Sequence, residues 1–220
     1  MKSVILYEDQ DILVCHKPAG FAVQSARVSQ MDMESELRGY LCGKELYVVH
    51  RLDQPVEGIL VFAKNRKAAA ALGAQMRDGF MNKYYCALVC GRMPADHGEL
   101  IDDVVKKGNG LGEVVTGTSN TGHAKRAELA YRVEAYDSDN DVSDVEICLR
   151  TGRFHQIRLQ FSHAGHPLLG DRKYGDEQAQ RLAEALGLNN VALCAHRLRF
   201  IHPASGRKMD FSTTPAFHKK

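Results

Sequence analysis

No stretch of this chain approaches the roughly 20 uninterrupted apolar residues that a bilayer-spanning helix needs. The opening Met1-Lys2-Ser3-Val4-Ile5-Leu6-Tyr7-Glu8-Asp9 meets an acidic pair too early for a signal-peptide core. Both absences lead to the expectation of a soluble cytoplasmic protein. No pair of the six cysteines, at 15, 42, 86, 90, 148 and 194, has C-x-x-C spacing. Cys86 and Cys90 could share one face of an element, but most cysteines sit among apolar neighbours, so free, mostly buried thiols are expected rather than a disulfide framework or a zinc site. Proline (6) and glycine (19) are too sparse for a collagen-like chain, and no internal repeat or low-complexity tract is present. Nucleotide motifs are missing too. Gly108-Asn109-Gly110-Leu111-Gly112 lacks G-x-G-x-x-G spacing, and Gly43-Lys44 has no glycine five residues earlier. There is no H-E-x-x-H and no G-x-S-x-G.

What remains is a chain of 220 residues, 44% hydrophobic and 25% charged, enough for one domain with a substantial core. The net charge of +2 conceals an uneven distribution. Residues 1–144 carry a net −4, residues 145–220 a net +6, and six of the ten histidines lie in that last third. A basic C-terminal third suits a polyanion such as nucleic acid; ordinary surface charge is the other reading of this feature.

Short strands are expected at Val4–Tyr7 and Ile12–His16, around an acidic turn. A helix is expected from Ser29 to about Cys42, closed by Gly43. Strand-length apolar runs follow at Tyr47–His50 and Gly58–Lys64. A helix capped by Asn65 should run to Met76, with Gly79 past its end. Lys83–Cys90 reads as a strand, and Gly91 to Gly122 as loops with short strands. Lys125–Ala135 and Val142–Arg150 read as a hairpin pair across the acidic run 137–141. A helix is open for Arg153–Ala164. Asp176 to Leu186 reads as a helix ended by Gly187, and Arg197–His202 as a final strand. Strands come in runs with few βαβ alternations, so the fold class is α+β, on a mixed, largely antiparallel central sheet with flanking helices.

Two segments hold more functional groups than a core requires. Val49-His50-Arg51-Leu52-Asp53 precedes the apolar run Ile59-Leu60-Val61, which places an ionisable group at a strand mouth. Thr151-Gly152-Arg153-Phe154-His155-Gln156-Ile157-Arg158 gathers two arginines, a histidine and a glutamine after a strand. A carboxylate beside such cations stays ionised, and in a dry setting it can serve as nucleophile or base. The residues alone leave a purely structural ion pair open as the other reading.

The motifs carry a family resemblance. His50-Arg51-Leu52-Asp53-Gln54-Pro55-Val56-Glu57-Gly58-Ile59-Leu60 resembles H-R-L-D-x-x-T-S-G followed by two apolar residues. Gly152-Arg153-Phe154-His155-Gln156-Ile157-Arg158 resembles G-R-T-H-Q-(I/L)-R. Gly165-His166-Pro167-Leu168-Leu169-Gly170-Asp171-Arg172-Lys173-Tyr174-Gly175 matches G-H-P-(I/L)-x-G-D-x-x-Y-G. Lys83-Tyr84-Tyr85-Cys86-Ala87-Leu88-Val89-Cys90-Gly91 matches K-x-Y-x-A-x-V-x-G. These, with the opening YEDQDILVCHKPAG and the closing HRLRFIHPASGRKMDF, resemble the RluA-type family of RNA pseudouridine synthases over nearly the whole chain and in the right order.

The resemblance implies one catalytic domain over residues 1–220, a pseudouridine synthase fold with a central RNA-binding cleft, and a reaction. Uracil is detached from its ribose, turned and reattached through carbon 5. By resemblance Asp53 is the nucleophile, toward ribose carbon 1′ or uracil carbon 6. Tyr85 stacks near the uracil and serves in proton abstraction. Arg158 pairs with the aspartate, Ile157 lines the uracil pocket, and Arg51 enters the RNA where the flipped base was. His50, Arg153, His155 and Gln156 are assigned to RNA binding. No organic cofactor and no metal is implied, and His155, His163 and His166 are read as structural or near the RNA cleft. The partner is structured RNA, ribosomal or transfer, met by a monomer. The sequence leaves no room for the family's N-terminal S4-type module, so the catalytic domain is expected to read its RNA itself.

Three positions depart from the pattern. Val56-Glu57 stands for threonine-serine, and Phe154 for threonine. Val56 keeps threonine's volume without its hydroxyl. Glu57 adds a negative charge near Asp53 and Arg51, which would oppose the Asp53 carboxylate or an RNA phosphate if it faced the cleft, and do little if it faced solvent. The Val56-Glu57 change sustains a second reading, an RNA-binding or chaperone-like protein on the same fold with impaired catalysis.

Overall fold

The structure, a computed structural model, describes residues 1–25, 30–108, 110–116 and 124–218. In chain order the elements are β1 (Val4–Glu8), β2 (Ile12–Lys17), α1 (Met33–Tyr40), β3 (Tyr47–Val48), β4 (Glu57–Ala63), α2 (Arg66–Arg77), β5 (Asn82–Cys90), β6 (His97–Lys106) and β7 (Gly112–Val114). They continue as β8 (Lys125–Asp137), β9 (Val142–Leu149), α3 (Gln156–His163), α4 (Glu177–Ala185), β10 (Leu193–Ile201), β11 (Lys208–Ser212) and a 3-10 turn, Ala216–His218. This is the expected α+β class, with mostly antiparallel strands. The chain forms two compact units, Met1–Lys83 with Cys194–Lys220, and Tyr84–Leu193.

In the first unit the strand order is β1-β2-β4-β10, with β3 also on β4 and β11 also on β10. All of these pairings are antiparallel except β4 with β10. The apolar runs that mark β2 and β4 in the sequence are buried on both faces, as a central strand should be. One face, Ile12, Val14, Ile59, Val61 and Ala63, packs with Ala68 and Leu72 of α2 and with Leu198 and Phe200 of β10. Leu13, Cys15, Leu60 and Phe62 fall on the other face by the two-residue pleat and are equally buried. Asn65 caps α2 as expected, its side chain accepting from the Ala68 N–H at 2.8 Å.

Gly58 permits the parallel approach of β4 and β10. Its φ is +135°, and a Cβ there would lie 2.5 Å from the Ala195 nitrogen. No side chain fits that space, which is the physical content of the glycine in the His50–Leu60 motif.

In the second unit the order is β5-β9-β8-β6-β7. Two expectations are corrected here. Gly91 to Gly122 is not mainly loop, because β6 is a ten-residue strand laddered on β8 from His97↔Arg132 to Val104↔Lys125. Val104 is its one buried position, so the strand is held by backbone pairing and carries little apolar alternation to read. Arg197–His202 is likewise not the final strand, since β11 follows and pairs Ile201 with Lys208. The helix at Arg153–Ala164 forms as Gln156–His163, and that expected from Ser29 is described from Met33 to Tyr40; Ser29 lies outside the described residues. None of the six cysteines forms a disulfide: Cys15, Cys90 and Cys194 are buried, Cys86 and Cys148 half-buried, and Cys42 is exposed.

Candidate active site

The first unit holds the turn that carries Arg51 and Asp53. After Val48 the chain leaves β4, and Leu52 and Val56 anchor the excursion in the core. The Asp53 carbonyl accepts from the Val56 N–H at 3.1 Å and closes the turn. The Gln54 side chain donates to the Gly20 carbonyl at 3.1 Å. Between these anchors Asp53 is half-buried and Arg51 exposed. His50 turns inward, its Nε2 accepting from the Val61 N–H at 3.3 Å. Burial, with the Lys83 charge adding to it, pushes the His50 pKa down to about 3, so the ring is neutral.

Lys17 supports this turn, and sequence reasoning did not single it out. It is fully buried at the end of β2, and its Nζ donates to the carbonyls of Phe21 (2.6 Å), Gln54 (3.0 Å) and Pro18 (3.1 Å). Three acceptors match the three hydrogens of an ammonium. Burial pushes its pKa down to about 7, against the opposing pull of the Asp53 and Glu57 charges. A lysine closing a largely apolar strand, ahead of Pro18-Ala19-Gly20, was the available signal. The residue thus ties the 18–21 loop to the Asp53 turn.

Glu57 faces neither open solvent nor an unpartnered space. It is buried, its Oε1 accepts from the Ala216 N–H at 2.6 Å, and its Oε2 lies 4.0 Å from His16 Nε2. The carboxylate that replaces the family's serine is therefore engaged by the 216–218 turn.

The second unit holds the other expected residues. Tyr85 is buried on β5, on the same pleat face as Ala87 and Val89. Gln156, Ile157 and Arg158 form the buried first turn of α3. That helix starts from His155 in the left-handed region, φ 52°. The Gln156 amide is spent on protein groups: its Oε1 accepts from Thr151 Oγ1 (2.8 Å) and Arg153 N (3.0 Å), and its Nε2 donates to the Glu128 carbonyl (3.1 Å) and Gln160 Oε1 (2.9 Å). This network fixes the strand-to-helix corner on which Arg158 depends.

Arg158 is 3% exposed and grips Asp171, itself 1% exposed, through a fork: Nε to Oδ2 at 2.7 Å and Nη2 to Oδ1 at 2.7 Å. Asp171 Oδ1 also accepts from the N–H groups of Lys173 and Tyr174. Burial alone would raise the Asp171 pKa, but the Arg158 fork and these amides hold it below the usual carboxylate range. A guanidinium has five N–H donors, so the fork leaves it further bonding capacity while fixing its plane. Asp171 stood within a recognised motif, yet nothing in its spacing linked it to Arg158.

His155 stacks on Phe154 with ring centroids 3.7 Å apart, and its Nδ1 bonds the Tyr174 hydroxyl at 2.8 Å. That hydroxyl accepts from the Gly112 N–H, and Lys106 Nζ lies 4.8 Å from the Phe154 ring centre. Exposed Arg153 donates from Nε to the Arg126 carbonyl at 2.8 Å. His166 Nδ1 bonds the Cys90 carbonyl at 3.0 Å, and His163 lies 3.9 Å from Asp102.

Among the described residues one group clusters tightly enough to hold a metal ion: Asp9, Asp11 and His202. Its chemistry is that of a hydrogen-bonded turn. Asp9 accepts from the Asp11 and Ile12 N–H groups and from Tyr7 Oη. His202 Nδ1 accepts from the Ala204 and Ser205 N–H groups, so the proton sits on Nε2, which donates to Asp9 at 2.7 Å.

Known proteins resemble this chain both in sequence and in fold. The ribosomal large subunit pseudouridine synthase C of Escherichia coli (strain K12) is 37% identical over 215 residues, covering 95% of this chain and 65% of that protein. Its Haemophilus ducreyi counterpart is 34% identical over 215 residues, covering 97% of this chain and 66% of that protein. The chain therefore spans about two thirds of the length of these curated relatives. Among solved structures, Human RNA Pseudouridylate Synthase Domain Containing 1 superposes with a TM-score of 0.78 at 22% identity, covering 96% of this chain and 83% of that one. Human RNA Pseudouridylate Synthase Domain Containing 4 gives 0.76 at 24%, covering 96% and 88%. These two likenesses establish the fold. The RNA pseudouridylate synthase family model matches residues 11–163, a span that includes the Asp53 turn, Tyr85 and the first turn of α3, and the chain belongs to that family.

Proposed function

We propose that this chain isomerises uridine to pseudouridine in structured RNA, with Asp53 as the nucleophile. The observation that carries the proposal is the Asp53 turn: a half-buried carboxylate beside an exposed arginine, locked by Lys17, Gln54 and Val56. Such preorganisation serves a group that must attack in one geometry. A uridine in a helix or stacked loop has to be extruded first, at a cost of a few kcal/mol. Arg51 is assigned to fill the vacated space, where a planar guanidinium stacks as a base does. Arg158 supplies the fixed cation the nucleophile needs, Tyr85 removes the proton from carbon 5, and Ile157 lines the uracil pocket. Arg153 and His155 contact the RNA. The two units serve as one catalytic domain, acting as a monomer.

Carbon–nitrogen bond cleavage and carbon–carbon bond formation balance within the nucleotide. No electron or hydride is transferred, so the chemistry calls for no organic cofactor. The names of the relatives make large-subunit ribosomal RNA the first substrate to test and transfer RNA the second.

Joining carbon 5 to ribose expels the hydrogen on that carbon. RNA labelled with tritium at uracil carbon 5 should therefore release tritium to water with the wild-type chain and none above background with Asp53→Ala. Release from neither RNA class, with RNA binding intact, would overturn the isomerase reading in favour of a binding protein.

A further inference from the structure

We infer that His50 is a positioning residue: its imidazole takes the place of a backbone carbonyl on the edge of β4 and so lifts Arg51–Asp53 clear of the sheet. The inference rests on the isomerase reading for its kinetic consequence, but its structural basis stands apart from it. Two short ladders occupy that edge. β3 pairs through Tyr47↔Ala63 and Val48↔Phe62, and β10 pairs in parallel through Cys194↔Glu57 and Ala195↔Gly58. Val61 falls between them, and its N–H donates to His50 Nε2.

Had β3 continued, one of its own carbonyls would have taken this amide, and Arg51 and Asp53 would have lain along β4 as ladder residues. An unpartnered buried amide would have been costly instead. The imidazole resolves the conflict: the amide is satisfied and the main chain is free to leave. Histidine suits the place because its acceptor stands a ring's width from the backbone, and because the neutral ring adds no buried charge. Since Val61 N–H is the donor, Nε2 is unprotonated and the proton sits on Nδ1.

The test compares His50→Gln, whose terminal oxygen can reach the Nε2 position, with His50→Leu, which fills volume without an acceptor. Nitrogen-15 NMR of the wild type should show the Nδ1–H tautomer, unchanged from pH 5 to pH 8, and a protected Val61 amide. His50→Leu should lose Val61 protection, and its single-turnover rate should fall by about 100-fold, the effect of a misplacement near 1 Å. Its RNA affinity should change less than twofold. His50→Gln should recover most of the rate and keep the wild-type pH–rate profile. The inference is overturned if His50→Gln loses as much rate as His50→Leu, if its pH profile loses a limb, or if the wild-type ring titrates in that range. Should His50→Leu fail to fold, the tautomer and the His50→Gln rate still decide. If the wild type makes no pseudouridine, the isomerase reading fails, while the tautomer and Val61 protection still judge the positioning role.

Discussion

Arg158 and Asp171 form a buried ion pair with a forked geometry. The fork, the two amides on Asp171 and the surrounding desolvation make this a site where removing one partner is severe. Asp171→Asn should lower the unfolding free energy by about 3–5 kcal/mol, because one partner of a buried, forked ion pair is removed. Urea denaturation at pH 7 measures it. The pH dependence follows from the sign of the shift. The folded pKa of Asp171 lies below its unfolded value of about 3.9, so its contribution is complete above that value and is lost as pH falls through the folded pKa. The wild-type advantage over Asp171→Asn should accordingly hold steady from pH 7 to about pH 5 and shrink below about pH 4. An advantage that grew on acidification would show that the carboxylate is not held ionised in the fold.

At the scale of elements, the contact of β4 with β10 depends on one position. With φ at +135° and the Ala195 backbone where a Cβ would go, Gly58→Ala strains the chain and forces the two strands apart. Strain and overpacking together should cost about 2–4 kcal/mol. Trimming a neighbouring side chain, as in Glu57→Ser, would not restore the loss, because the clash is with backbone. The loss should appear as a lower melting temperature, and near-wild-type melting of Gly58→Ala would show that β4 and β10 can separate freely. This glycine also marks what the sequence made legible. β2, β4 and α2 could be read because apolar periodicity, a capping asparagine and flanking glycines all point one way. β6 could not, since its register comes from a partner strand further along the chain and each of its faces mixes polar with apolar residues. The candidate residues were legible through motif spacing; the groups that hold them were not. Lys17 reaches Gln54, and Asp171 reaches Arg158, across distances that local pattern does not encode.

Charge changes meaning when it is redistributed over the folded molecule. In sequence the basic excess lies in the last third, but residues 194–220 fold with residues 1–83. Counted by unit, the first carries a net +6 and the second a net −4. The positive unit is the one that presents Arg51 and Asp53, so a field suited to a polyanion and the proposed nucleophile share a scaffold. RNA affinity should then be governed by counterion release: two phosphate contacts alone would weaken binding about tenfold between 50 and 200 mM salt, and more contacts would steepen the slope. Asp53→Asn should bind with the same slope and an affinity within a few-fold of wild type, since it removes one negative charge and no cation. Filter binding of a ribosomal RNA fragment over a salt series measures both. Affinity that does not change with salt would argue against a phosphate-reading surface on this unit. A slope halved by Asp53→Asn would mean instead that the turn itself is remodelled when its carboxylate is lost, and that the scaffold around Lys17 depends on that charge as much as it supports it.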